Sequence, residues 1–135
     1  MATHLEEIAV RSASREEMID VTTLVRAAVR RIGVEAGLAY IYCPHTTAGV
    51  TIQENADPDV RTDLLGHLAR LIPQDAGFRH SEGNADAHIK ASLVGSSQMV
   101  PLDGGKLCLG TWQAVFFCEF DGPRSRRLLV KVVAG

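Results

Sequence analysis

The chain has 135 residues, a formal net charge of −2, and 46% hydrophobic and 22% charged residues. This globular composition excludes a disordered or collagen-like chain, and the length predicts one domain over residues 1–135, because roughly 100–150 residues is the commonest domain size. The mild negative charge argues against non-specific binding to nucleic acid.

No segment reaches the ~20 apolar residues that span a bilayer. Glu6 and Glu7 stand where a secretory signal would need basic residues. We therefore expect no membrane partner and a cytoplasmic location.

The first half of the chain mixes strand and helix patterns. Apolar alternation and β-type composition predict strands, and apolar residues at helical spacing predict a helix that Thr22 caps and Gly33 ends. Pro44 interrupts a β-type run and so places His45 at a strand end. The predicted elements are strands 5–12, 18–21, 37–43 and 45–53, with a helix over 23–32.

The second half begins with a strong helix start at Asp57 and Pro58, because Asp accepts hydrogen bonds from a first helical turn and Pro fits its first position. This helix runs to Pro73 and is followed by a polar loop over 74–86. A short helix over 87–94 precedes strands 99–102, 106–119 and 127–133, the first two joined by a tight Asp-Gly-Gly turn. This order favours an α+β fold of mainly antiparallel sheet.

The long predicted strand 106–119 is apolar on both faces, including the face that carries Trp112. Such a strand indicates either the interior of a sandwich or a subunit interface. Cys43, Cys108 and Cys118 lie in apolar runs without a CxxC spacing, so we expect buried, reduced thiols without a catalytic role.

Three histidines, His45, His80 and His88, lie beside turns or a helix start rather than within an apolar stripe. Imidazole can bind a metal ion or transfer a proton near neutral pH. Their spacing matches no standard zinc motif, and each alone is more often a structural hydrogen-bonding residue. His4 is assigned to the terminus and His67 to a solvated helix face.

The segment around Glu54, Asn55 and Asp57 combines two carboxylates and a carboxamide with a helix N-terminus. Such a corner can hold a phosphate, and Glu54 can act as general base or complete a metal shell with imidazoles. Alternatively, Asp57 only caps its helix. We expect the three imidazoles to converge on this acidic corner.

Four further positions carry weaker signals. Thr46 and Thr47 offer hydroxyls next to Gly49 for contact with phosphate, although the spacing is not that of a P-loop. Lys90 either neutralises a phosphate or is a surface helix residue. Arg124, Arg126 and Arg127 either bind phosphate or form a solvated hairpin edge, and the second reading is favoured.

Four separated blocks, in order along nearly the whole chain, resemble the YjbQ family. They are Pro44-His45-Thr46-Thr47-Ala48, the run from Thr51 to Val60 (TIQENADPDV), the run from Ala87 to Leu93 (AHIKASL), and Leu109-Gly110-Thr111-Trp112-Gln113. Two departures are Phe120, where many members carry His after the Cys-Glu pair, and the lean acidic stretch 82–86.

This resemblance implies a small α+β protein with a β-sandwich and two to three helices, assembled as a homotrimer. It also implies a secondary thiamine-phosphate synthase, a transferase that joins a pyrimidine methyl diphosphate to a thiazole phosphate and releases pyrophosphate with a divalent cation, Mg or Zn. The catalytic set would be His45, Glu54, Asp57, His80 and His88, with the three imidazoles also binding the metal.

Thr46, Thr47, Asn55 and Lys90 would contact the small phosphorylated substrate. An alternative function uses the same residues without turnover. The chain would then be a non-catalytic trimer that binds a metal or an anionic metabolite.

Overall fold

The computed structural model describes residues 4–135. In chain order their elements are β1 (Leu5–Arg11), β2 (Glu17–Asp20), α1 (Thr22–Ile32), β3 (Gly37–Tyr42), β4 (Ala48–Glu54), α2 (Pro58–Leu71), α3 (Ala85–Val94), β5 (Ser97–Asp103), β6 (Lys106–Leu107), β7 (Gln113–Glu119) and β8 (Ser125–Ala134). None of the helices in this part of the chain has both the length and the apolar character needed to cross a bilayer.

The strands form a five-stranded sheet in the order β1-β8-β3-β5-β6 and a three-stranded sheet in the order β2-β7-β4. All the strand pairs are antiparallel. Side chains from both sheets share one hydrophobic core, to which α1 contributes Val25 and Val29. The predicted α+β fold with mainly antiparallel sheet is confirmed.

Strand β7 is buried on both faces because it lies between two cores. Val115 and Phe117 point into the core shared by the two sheets. Ala114, Phe116 and Cys118 belong to a second core, which α2 and α3 cover. The sandwich and the helices of one protomer therefore account for the doubly apolar sequence without a subunit interface.

The prediction of one continuous strand over 106–119 is wrong. The chain leaves the five-stranded sheet after β6 and enters the three-stranded sheet at β7, and a turn between Gly110 and Gln113 closes with Gln113 N–H donating to the Gly110 carbonyl at 3.1 Å. Trp112 in this turn is 64% exposed. Cys108 is also exposed, so its predicted burial is wrong, whereas Cys43 and Cys118 are buried.

Two predictions that rest on residues close together in the chain are confirmed, and a third is wrong. Asp57 caps α2 by accepting a hydrogen bond from Asp59 N–H at 2.9 Å, with Pro58 as the first helical residue. Gly104 and Gly105 adopt positive φ values of 57° and 73° in the predicted β5–β6 turn. Thr22 does not cap α1, because its hydroxyl accepts a hydrogen bond from Val115 N–H at 2.8 Å instead.

We expect Phe116→Ala and Phe117→Ala each to lower the free energy of unfolding by about 3–5 kcal/mol, since both rings are fully buried. Trp112→Ala is the control and should change it by less than about 0.5 kcal/mol. Urea unfolding measures all three. If Trp112→Ala lowers the free energy of unfolding as much as Phe116→Ala does, Trp112 is buried and the continuous strand over 106–119 is right after all.

Candidate functional site

His45 lies between β3 and β4 and is held from two sides. The backbone N–H of Arg127, on β8, donates to His45 Nε2 at 2.9 Å, and the imidazole meets the Phe117 ring edge to face with centroids 6.3 Å apart. Nε2 also lies 3.2 Å from the Arg127 carbonyl, so the tautomer decides whether Nε2 accepts the N–H or donates to the carbonyl. The ring position is thus fixed by the core and by β8.

His80 and His88 are in contact, since their rings meet edge to face with centroids 5.1 Å apart. His88 lies on α3, and His80 lies in the loop before it. His88 and His45 also line one groove of about 390 Å³, together with Thr46, Ala48, Ala91, Ser92, Gly95 and Ser96. The structure therefore associates all three imidazoles with one region.

The groove forms because the end of α3 approaches the backbone of β4 closely. Val50 N–H donates to the Gly95 carbonyl at 3.1 Å, and Cys43 N–H donates to the Ser96 carbonyl at 2.7 Å. A Cβ on Gly49 would lie 2.7 Å from the Gly95 oxygen. Only glycine at position 49 allows this approach.

The acidic corner does not join the imidazoles within the protomer. β4 begins near His45 and ends at Glu54, and its seven residues cover about 20 Å. Asn55 donates from its side chain to Asp20 and from its backbone to the Trp112 carbonyl. Asp57 caps α2, as the alternative interpretation of this residue predicts. The expected convergence on Glu54–Asp57 is therefore not found within residues 4–135.

Thr46 and Thr47 have different environments. Thr46 is exposed and lines the groove, whereas Thr47 is buried. The Thr47 hydroxyl accepts a hydrogen bond from Arg126 Nη2 at 2.8 Å. Of the two predicted phosphate contacts, Thr46 alone faces the groove.

Arg126 forms a buried ion pair with Glu119. Its guanidinium donates from Nε to Glu119 Oε1 at 2.8 Å and from Nη2 to Oε2, and Ser12 and the Asp121 N–H donate to the same carboxylate. Burial raises the pKa of Glu119, but the hydrogen bonds from Arg126 and Ser12 outweigh it and leave the pKa below its ordinary value.

A solvated edge is the right description for Arg124 and Arg127, whose side chains are 52% and 54% exposed, but it is wrong for Arg126. The signal that identifies Arg126 is strand alternation. On β8 it shares the inward face with Leu128, Val130 and Val132.

Lys90 is 1% exposed, so its reading as a surface helix residue is wrong. Its ammonium contacts Asp86 at 2.8 Å and Glu16 at 2.9 Å, and Arg15 binds both oxygens of Asp86. Burial raises the pKa of Asp86, but hydrogen bonds from Arg15 and Lys90 bring it below its ordinary value. With its contacts committed to two carboxylates, Lys90 anchors α3 and does not face a phosphate.

The residues of one protomer do not fit a divalent-metal centre. Across residues 4–135, no three His, Cys, Asp or Glu side chains are grouped so that they could hold a metal ion. In addition, Nε2 of His45 already lies within hydrogen-bond distance of the Arg127 backbone. A metal bound here would need ligands from outside the protomer.

We expect Arg126→Met to lower the free energy of unfolding by about 3–5 kcal/mol, because it leaves Glu119 buried and unpaired. The double variant with Glu119→Met should recover most of this loss, since it removes both charges. Chemical denaturation at pH 7 measures the cycle. A cost for the double variant equal to the sum of the costs of Arg126→Met and Glu119→Met would show that the pair carries no coupling.

His45 should titrate below pH 6.5, because burial and then the positive charge of Arg126 lower its pKa. Its contribution to stability is then present above pH 6.5 and is lost as the pH falls below that value. An NMR titration measures the pKa, and Arg127→Gln should raise it by removing a nearby positive charge. A His45 pKa at or above 6.5 in the native chain would contradict the placement of the ring.

Comparison with known proteins places the chain in one family. The family model described as UPF0047 protein YjbQ-like matches residues 6–135. A UPF0047 protein of Methanocaldococcus jannaschii is 52% identical over 92% of this chain and 90% of its own length, and the UPF0047 protein YugU of Bacillus subtilis is 49% identical over 96% and 98%.

Solved structures agree. An uncharacterized YjbQ/UPF0047 protein of Clostridium acetobutylicum superposes with a TM-score of 0.93 at 51% identity, over 95% of this chain and 99% of its own. A YbjQ-like protein of unknown function from Sulfolobus solfataricus gives 0.92 at 29% identity, over 97% and 96%. The chain belongs to the YjbQ (UPF0047) family.

Proposed function

We propose that the groove between His45 and His88 binds the phosphate part of a small phosphorylated metabolite. The observation that carries this proposal is that two imidazoles line one groove of about 390 Å³. Small-molecule sites commonly have volumes of roughly 300–1,000 Å³. Imidazole N–H groups and the hydroxyls of Thr46 and Ser96 are suitable donors to phosphate oxygens.

The reaction that we propose is the one that the resemblance to the YjbQ family implies, a secondary thiamine-phosphate synthase. A bond forms between the methylene carbon of the pyrimidine methyl diphosphate and the thiazole nitrogen, while the bond from that carbon to the diphosphate oxygen breaks. Pyrophosphate leaves with the bonding electrons. His45 and His88 would hold the leaving diphosphate, with His80 supporting the His88 ring.

Thr47 and Lys90 do not enter this proposal, and the remaining predicted residues enter it only through a second protomer. Glu54, Asn55 and Asp57 lie at the far end of β4 from His45, so their catalytic or binding roles require that a neighbouring chain brings them to the groove. The same holds for the divalent cation, Mg or Zn, because one protomer lacks its ligand set within residues 4–135.

We also propose the homotrimer that the resemblance implies, formed through the outer face of the five-stranded sheet. Leu38, Tyr40, Tyr42, Met99 and Val133 are each 39–55% exposed there. The strand register pairs Leu38 with Val133 and Tyr40 with Met99, so the side chains form one continuous apolar surface. A surface of this kind is typical of a protein interface. The three free thiols support a cytoplasmic location.

A second candidate function is binding without turnover, of an anionic metabolite or a metal. One observation favours it: no carboxylate is among the residues that line the groove, so the groove of one protomer offers no acidic ligand for the divalent cation that would neutralise the leaving pyrophosphate. The two functions differ in whether pyrophosphate is released.

We expect the native chain, given both thiamine precursors and Mg²⁺, to release pyrophosphate and form thiamine phosphate. His45→Ala and His88→Ala should each lower kcat/KM by about 10²-fold or more, in the range typical of lost acid–base or charge-stabilising groups. His67→Ala is the matched control, because His67 lies exposed on α2.

Circular dichroism checks that each variant folds. No turnover by the native chain would reject the enzyme. Calorimetry with pyrophosphate then tests the binding function, which fails if native and His88→Ala chains bind alike.

We expect size-exclusion chromatography with light scattering to give three times the 14.6 kDa chain mass. Tyr40→Lys combined with Met99→Lys should give the monomer mass, since charges at the centre of the apolar face oppose its burial. Leu93→Lys is the control, because Leu93 is 61% exposed on α3. A native monomer, or a trimer that survives both lysines, would rule out this interface.

A further inference from the structure

A second groove, of about 580 Å³, lies between the end of α1 and the β5–β6 turn. Its lining includes Glu35, just before β3, whereas His45 follows β3. The two grooves are therefore separated by about 20 Å, the length of that strand. They share no lining residue.

This groove is basic. Arg26, Arg30 and Lys106 line it, and the one acidic lining residue is Glu35. Within residues 4–135, none of the three cations has a carboxylate within 4.0 Å, although the neighbouring Arg31 is paired with Glu6. The groove therefore has an excess of positive charge that no ion pair among residues 4–135 neutralises.

The helix dipole accounts for one of these three exposed cations. Arg30 lies in the last turn of α1, where a positive charge stabilises the helix dipole. Arg26 lies one turn earlier, and Lys106 lies on a different element. Arg26 and Arg30 are four residues apart on one helix, and like charges at this spacing destabilise it. A bound anion would remove this repulsion.

The floor of the groove is apolar and its rim is open. Val29 and Leu107 belong to the buried core, and Val34 packs against it. Gly33 and Gly104 also line the groove, and a Cβ on either would meet nothing within 4 Å. The hydrogen bond from Gly105 N–H to the Glu35 carbonyl, at 2.8 Å, joins the two sides of the groove.

We propose that this groove is a second binding site, for a small organic phosphate. The phosphates contact Arg26, Arg30 and Lys106, and an apolar body of the ligand covers Val29, Val34 and Leu107. Guanidinium groups bind phosphate oxygens in pairs, and an ammonium adds a point charge. The site is independent of the imidazole groove and of the reaction proposed for it.

Calorimetry with ADP, pyrophosphate and adenosine at low salt tests the proposal. We expect ADP to bind more tightly than either fragment, because it uses both the cations and the apolar floor. Arg30→Glu combined with Lys106→Glu should weaken ADP binding at least tenfold. Arg70→Glu is the control for a charge reversal on an exposed helix position and should have no effect.

Two further variants separate this site from the others. Arg26→Gln should weaken ADP binding without lowering the melting temperature, which distinguishes a ligand contact from a structural role. Every titration is repeated in a chain that carries His45→Ala and His88→Ala, which removes the diphosphate binding proposed for the imidazole groove. ADP binding should persist in that chain and should still weaken at least tenfold when Arg30→Glu and Lys106→Glu are added. Absence of ADP binding at millimolar concentration, equal binding of ADP and pyrophosphate, or equal binding by native and charge-reversed chains would overturn the proposal.

Discussion

The position of the loop that carries His45 depends on the buried ion pair between Arg126 and Glu119. This pair joins β8 of the five-stranded sheet to β7 of the three-stranded sheet. Ser12 and Thr47 bind its two members by hydrogen bonds. Because buried charges are tolerated only when they are paired and fully hydrogen-bonded, these segments have to meet in one arrangement.

The same arrangement fixes His45. Thr47 follows His45 by two residues and is held by the Arg126 side chain, while the next residue of β8, Arg127, donates its N–H to the imidazole. The positive charge of Arg126 also helps keep the imidazole neutral. Burial of the ring is the larger cause of its lowered pKa, and the Arg126 charge, which also stabilises the fold, is the second.

A second buried network places His88. Lys90 and Arg15 hold Asp86 on α3, one turn or less from His88. Asn84, at the start of this helix, donates to the Asp121 side chain at 2.8 Å, and the Asp121 backbone donates to Glu119. Asp121 thus links the start of α3, the helix that carries Asp86 and Lys90, to the Arg126–Glu119 network.

Sequence reasoning succeeded where the determining contacts are local. The Asp57 cap and the Gly104-Gly105 turn depend on residues only a few positions away. The exposure predicted for Arg126 and Lys90 is wrong, because a charged side chain is expected at the surface unless a buried partner for it is known. Arg15 lies 71 residues from Asp86, and Thr47 lies 79 residues from Arg126, so such pairs are not visible in one sequence.

The prediction of one strand over 106–119 is wrong for a related reason. Its first part belongs to the five-stranded sheet and its second part to the three-stranded sheet, and in the sequence only Gly110 marks the point where the chain crosses between them. For the candidate site, turn chemistry selected His45, His80 and His88, which the structure associates with one region. His45 and Glu54 lie far apart because the extended strand β4 separates them, and the spacing of the two residues in the sequence does not show this.

The most direct test of the role of the ion pair is amide hydrogen exchange in the native chain and in Glu119→Gln, which keeps the side-chain shape but removes the charge. If the pair positions the His45 loop, protection should fall first at the amides of Arg127 and Phe120, which bond to His45 and to Thr47. The amide of Val130, within β8, should lose protection only in proportion to global stability. Equal loss at all three amides would show that the pair stabilises the fold without positioning His45.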